Sequence, residues 1–117
     1  MQYMLMIYGD ESAMPKASKE SMNQMSAAYA AYTQALQKAG VMVAGDRLHH
    51  STDAATVRMN NGKAKVLNGP YAESKEQLAG YYVIEANDLD AALAWAAKCP
   101  GAQHGVLEVR PIVKMSN

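Results

Sequence analysis

At 117 residues the chain is long enough to bury one hydrophobic core, and with half of its residues hydrophobic it does not read as a disordered segment. Eleven Lys and Arg balance eleven Asp and Glu, which argues against general nucleic-acid binding and against a polybasic membrane surface, since both need an excess of cations. Cys99 is the sole cysteine, so an internal disulfide is ruled out and a reducing cytoplasm is the expected location.

The first element is the apolar run QYMLMIYG at residues 2–9, which reads as a buried central strand ended by Gly9-Asp10. Its apolar portion, residues 3–8, is too short for a signal sequence or a membrane span. Residues 11–17 carry Pro15 and small polar side chains and read as a loop. Ser18 then offers an N-cap, and Glu20 suits the first turn of a helix. That helix is expected over residues 19–39, with Met22, Met25, Tyr29, Tyr32, Leu36 and Ala39 spaced as one apolar stripe and Gly40 as its left-handed stop. The nine methionines and the absence of phenylalanine are read as core packing.

VMVAGDRL at residues 41–48 reads as a strand whose internal glycine implies a bulge or a close backbone approach, re-aiming Asp46. His49 to Asp53 form a polar connection, with His49 and His50 read as a solvated pair. Asn61-Gly62 between two strand-like runs is a strong hairpin signal, because both central residues of a type I′ turn need positive φ. A two-residue loop sets Asn60 against Lys63, Met59 against Ala64, Arg58 against Lys65 and Val57 against Val66. The face carrying Val57, Met59, Ala64 and Val66 is then expected to be buried. Arg58 opposite Lys65 is a like-charge pair that costs stability unless both reach water or meet an anion.

Asn68-Gly69-Pro70-Tyr71 is a sharp turn. Residues 73–78 are compatible with one helical turn, and residues 79–86 read as a second interior strand. Asn87 or Asp88 caps the next helix, which puts Leu89, Ala92, Leu93, Ala96 and Ala97 on one side and ends at Cys99-Pro100-Gly101, leaving Cys99 buried at its end. Residues 106–113 form the last strand, followed by a loose tail at residues 114–117. Strand, helix, strand, hairpin, strand, helix, strand gives a two-layer α+β domain spanning residues 1–117. With the hairpin set aside it is the ferredoxin-like βαββαβ order.

Polar groups converge between residues 61 and 82. The candidate pocket joins Asp46, Asn68, Lys75 and Glu76 to Tyr71 and Tyr82 as aromatic walls, with Arg58 and Lys65 nearby. Lys75 is placed to pair with Asp46 or to neutralise an acidic ligand. His104, before the last strand, is an acid–base candidate. Metal and cofactor signatures such as GxGxxG, HExxH or paired cysteines do not occur, so no cofactor and no metal are expected.

YGDE at 8–11, VAGDRL at 43–48, NGPYAESKEQLAGYYVIEA at 68–86, LDAALAWAAKCP at 89–100 and EVRPI at 108–112 together resemble the DGPF-motif branch of the YCII-related family over nearly the whole chain. Asn68-Gly69-Pro70-Tyr71 stands where that branch has Asp-Gly-Pro-Phe. The resemblance implies a ferredoxin-like protomer that forms a dimeric α/β barrel, with a cavity between two facing sheets. It carries no settled activity. Wider relatives include lactone isomerases, dehalogenases and heme-degrading monooxygenases. A His at the start of the first helix, proposed as half of an active pair in one branch, has no counterpart among residues 18–25. The expectation is therefore a homodimer or higher homo-oligomer that binds a small anionic organic ligand, as a cofactor-free enzyme of lyase, isomerase or hydrolase type or as a binding protein, with no nucleic acid and no membrane as partner. The alternative is a non-catalytic interaction module tied to sigma-factor regulation, and a heme-using relative is a weaker third reading.

Overall fold

The computed structural model describes residues 1–16 and 18–115. Its elements, in chain order, are β1 (Gln2–Gly9), a 3₁₀ turn (Glu11–Lys16), α1 (Lys19–Lys38), β2 (Met42–Arg47), a 3₁₀ turn (Ser51–Asp53), β3 (Ala55–Asn60), β4 (Lys63–Asn68), β5 (Gln77–Glu85), α2 (Leu89–Lys98), α3 (Gly101–His104) and β6 (Val106–Pro111). Four strands form one antiparallel sheet in the order β2-β5-β1-β6, and β3 and β4 form a separate two-stranded sheet. With the hairpin set aside this is the ferredoxin-like α+β arrangement.

Strand alternation divides the main sheet into two unlike faces. Tyr3, Leu5 and Ile7 of β1 and Tyr82 and Ile84 of β5 pack against Tyr32 and Leu36 of α1 and Ala92, Ala96 and Cys99 at α2. Each fully buried aliphatic side chain here, such as Leu5, Leu36 or Ile84, contributes about 1.5–3 kcal/mol. The phenols that enter this core keep hydrogen-bond partners: Tyr32 donates to the Trp95 carbonyl at 2.7 Å, and the Tyr82 hydroxyl lies 2.8 Å from Thr33 Oγ1. Among the described residues no helix covers the opposite face. Met4, Met6 and Tyr8 of β1 lie there half-buried, beside Tyr81 and Val83 of β5, Asp46 of β2, and Glu108 and Arg110 of β6, which share that face by register.

Local signals set the element ends. Ser18 Oγ accepts from the Ser21 amide at 3.0 Å, Asp88 Oδ1 accepts from the Ala91 amide at 2.8 Å, and Gly40 follows α1 at φ +72°. The hairpin turns at Asn61 (φ +52°) and Gly62 (φ +78°), and its register is the one that the two-residue loop dictates.

Several expectations need correction. The hairpin face of Val57, Met59, Ala64 and Val66 is exposed on the protomer, because among the described residues this ribbon pairs only with itself and no second layer stands behind it. Residues 73–76 are irregular, with a bend at 75–76 and no helical turn, and β5 begins earlier, at Gln77. Ser74 Oγ and Gln77 Nε2 tie this stretch to the Glu76 and Ser74 carbonyls. Residues 11–16 wind into a 3₁₀ turn, not an open loop, and residue 17 lies outside the described residues, as does the tail beyond 115. On α2 the inward side is Ala92, Ala96 and the end at Cys99, while Leu89 and Leu93 stay nearly half exposed; small residues let the helix approach the sheet. Met22 at the start of α1 is also exposed. The register shift in β2 falls between Met42 and Ala44, before the glycine, and a Cβ on Gly45 would lie 2.7 Å from the Tyr82 ring.

Candidate functional site

The site begins where β1 ends. Asp10 Oδ1 accepts from the Ser12 amide at 2.9 Å and the Ser12 hydroxyl at 2.6 Å, starting the 3₁₀ turn that presents Glu11. The Glu11 amide donates to Gln77 Oε1 at 3.0 Å, so the first residue of β5 fixes its backbone. Its carboxylate reaches across to the connection after β2. Oε1 accepts from the Ser51 amide at 2.7 Å, and Oε2 accepts from the Ser51 hydroxyl at 2.5 Å. His50 Nδ1 lies 3.3 Å from the same Oε2. The Glu11 side chain is 15% exposed and that of His50 49%. A shielded carboxylate therefore grips an imidazole that keeps one side in the open.

The two ring nitrogens of His50 are not equivalent. A proton on Nδ1 would face the Glu11 carboxylate at 3.3 Å and leave the Nε2 lone pair available. Nδ1 also lies 3.1 Å from Thr52 Oγ1 and 3.5 Å from the Thr52 amide, which donates to it when the proton is on Nε2; these two contacts belong to the other tautomer. A carboxylate acceptor outcompetes a hydroxyl, because charge-assisted hydrogen bonds are about twice as strong as neutral ones.

Beside this pair runs a groove of about 440 Å³, walled by Tyr8, Leu48, His50, Tyr71 and Leu78 among others. Tyr8 and Leu78 face each other in register at the end of the open sheet face, next to the shift at Ile7/Tyr8. Tyr71 stands 76% exposed at the rim, and the Arg58 guanidinium sits 5.7 Å from its ring centroid, a cation–π distance. Thr56 Oγ1 donates to the Gly69 carbonyl at 2.9 Å, tying the base of the hairpin to the turn that carries Tyr71.

Of the residues expected to form a pocket, the structure brings Tyr71 and Arg58 together at this groove. Asn68 ends β4, paired with Ala55. Lys65 lies opposite Arg58 on the exposed hairpin. Lys75 is exposed and makes no ion pair among the described residues; Glu76, half-buried beside it, accepts at its carbonyl from Ser74. Asp46 does not meet Lys75. It accepts from the Tyr81 hydroxyl at 2.6 Å on the open sheet face, and this carboxylate, through the hydrogen bond and its charge, pushes the Tyr81 phenol up from its ordinary value. Tyr82 points the other way, into the helix-covered core, where burial raises its phenol. His104 is exposed at the end of α3.

Glu11, Ser51, Tyr8 and the role of His50 lay outside the sequence reading. Glu11 and His50 are 39 positions apart, and only the fold joins them. The YGDE stretch was visible as a motif, but nothing local assigned its glutamate a partner.

The YCII-related domain model matches residues 1–116. The chain belongs to the YCII-related family. An uncharacterised protein of Rhizobium meliloti (strain 1021) is 38% identical to this YCII-related chain over 114 residues, covering 96% of it and 92% of the relative. Among solved structures, 5-chloro-2-hydroxyhydroquinone dehydrochlorinase from Burkholderia phenoliruptrix AC1100, in complex with 2,5-dihydroxybenzoquinone, superposes with a TM-score of 0.56, covering 97% of this chain and 94% of that one at 13% identity. At that identity the likeness establishes a common fold.

Proposed function

We propose that this YCII-related chain binds a small organic molecule in the groove beside Glu11 and His50 and, as a cofactor-free enzyme, moves a proton with His50. The observation that carries this reading is the shielded Glu11 carboxylate, which accepts from Ser51 and lies 3.3 Å from His50 Nδ1 at the wall of an apolar groove. Glu11 is the positioning residue. It favours the tautomer with the proton on Nδ1, so Nε2 is the base. When Nε2 takes a proton from the ligand, the imidazolium that forms is paired with the carboxylate. Returning that proton to a different atom is an isomerisation, and returning it to a departing group is an elimination. Tyr8 and Tyr71 supply flat walls for an unsaturated or aromatic ring, and Arg58 at the rim favours an anionic group on it. The enzyme of known activity that shares the fold acts, by its name, as a dehydrochlorinase, which accords with chemistry of this kind. Two copies that face their open sheets across a shared cavity would shield such a ligand from water.

A thermal-shift screen of small hydroxylated aromatics and carboxylates tests the reading. A ligand at a hundred times its Kd stabilises the folded form by about 2.7 kcal/mol, a shift of several degrees in Tm for a chain of this size. Hits should lose their effect in His50→Ala and Tyr71→Ala and keep it in Asp46→Asn. Hits that bind both groove variants as well as the parent would place the ligand elsewhere.

A further inference from the structure

The β3–β4 hairpin is an arm. A compact chain of this length has a radius of gyration of roughly 13 Å, whereas this one measures 16.3 Å, with extents of 48 × 48 × 18 Å. The least dimension is that of a sheet and one helical layer, so the arm extends sideways from the plate and does not fold over its own open face. A two-stranded ribbon alone is marginally stable in water. This one leaves Val57 61%, Met59 64% and Val66 58% exposed, all on one face. The opposite face carries Arg58, Lys63 and Lys65, and residues 55–68 contain no acid. Removing those three cations from the balanced total leaves eight cations against eleven acids in the rest of the chain. Arm and body are thus of opposite sign, and every copy carries both halves of the match.

The complementary surface is the open sheet face, with an apolar centre at the half-buried Met4 and Met6, and with two acids on its edge strands, Asp46, which accepts from Tyr81, and Glu108, which pairs with Arg110 at 2.7 Å. We propose that the β3–β4 hairpin is an intersubunit arm that lays its Val57–Met59–Val66 face along the rim of a second copy's open sheet face and closes the end of the space between the two sheets. This rests on the homo-oligomer of the preceding reading. Lys65 and Arg58 stand on the back of the ribbon, Arg58 with its guanidinium over the Tyr71 ring; on docking, Lys65 reaches past the ribbon's edge to the rim acids, and Arg58 does so by swinging off that ring. A two-fold pairing makes the exchange reciprocal, so both arms are covered at once.

Sedimentation equilibrium of the full chain from about 1 to about 100 µM reads the result. The wild type should dimerise in this range. Val57→Asp/Val66→Asp, which places two carboxylates on the docking face and leaves the body intact by circular dichroism, should weaken the dimer at least about tenfold. Arg58→Glu/Lys65→Glu should weaken it more at low salt than at high salt, and adding Asp46→Lys/Glu108→Lys should restore part of the loss. Wild-type chain that stays monomeric throughout, alone or bound to another protein, overturns the proposal together with the facing-sheet dimer. A Val57→Asp/Val66→Asp chain that dimerises as tightly as wild type overturns the arm alone, and ligand binding in the groove is scored separately from both.

Discussion

Tyr81 and Tyr82 are neighbours in sequence with opposite fates, and the difference is one of strand parity. Tyr82 points under the helices and Tyr81 onto the open face, where it donates to Asp46 at 2.6 Å. The carboxylate holds the phenol's proton and opposes a second negative charge, so the Tyr81 phenol titrates above its ordinary value. Asp46→Asn removes the charge, and Tyr81 should then ionise at lower pH. Ultraviolet titration of phenolate absorbance, with Tyr81→Phe identifying the signal among seven tyrosines, checks this; superposable curves for wild type and Asp46→Asn would show that the pair does not govern Tyr81. Residue-scale chemistry was the least legible part of the sequence. Gly45 in a strand-like run signals an irregular register near Asp46, but the shift falls before the glycine, and the partner of Asp46 depends on which of two adjacent tyrosines shares its face. Glu11 and His50 carried no local sign of each other.

Elements were more legible, for a reason that lies in the range of the forces involved. The Asn61-Gly62 turn depends on two residues' own backbone preferences, and it fixed the hairpin register without help from the rest of the chain. Ser18, Gly40 and Asp88 mark helix ends for the same local reason. The faces of elements depend on what packs against them, and there the sequence was a weaker guide. On α2, hydrophobicity alone gives Leu89 and Leu93 the same claim to burial as Ala92 and Ala96, while closeness to the sheet favours the alanines. The arm's apolar face reads as core by pattern, yet its covering layer is not within the protomer. Glycines give a sharp test at this scale. A Cβ on Gly105 would lie 2.1 Å from the Tyr8 carbonyl oxygen, whereas one on Gly9 meets nothing within 4 Å. Gly105→Ala must displace backbone where α3 hands over to β6, and should destabilise by about 1–3 kcal/mol or more. Gly9→Ala should stay within about 0.5 kcal/mol of wild type. Urea denaturation midpoints for the two variants decide the matter.

Across the whole molecule, the core is unusual in holding phenols and a thiol where phenylalanine would serve. Burial, reinforced by the neighbouring Cys99, pushes Tyr29 and Tyr32 well above the ordinary phenol value, and burial pushes the Cys99 thiol up as well. The folded form therefore holds protons that the unfolded chain releases above about pH 9 for the thiol and about pH 10 for the phenols. Above those values the unfolded state binds fewer protons, and stability falls as pH rises. Thermal unfolding followed by circular dichroism should show no contribution from these groups below about pH 9 and a loss of several degrees in Tm by about pH 11; a flat profile across that interval would mean that the phenols reach solvent in the folded form. The arm obeys a different arithmetic. The Gly69 amide donates to the Ala54 carbonyl at 2.7 Å, so the ribbon enters and leaves the body at a single point, and the body does not register how long it is. Side chains on a strand repeat every two residues, so adding one residue to each strand would exchange the apolar and cationic faces beyond the insertion, while adding two to each would keep them. The reach of the arm can thus lengthen only in steps of about 7 Å, and related chains that differ in the length of this hairpin should differ by multiples of four residues.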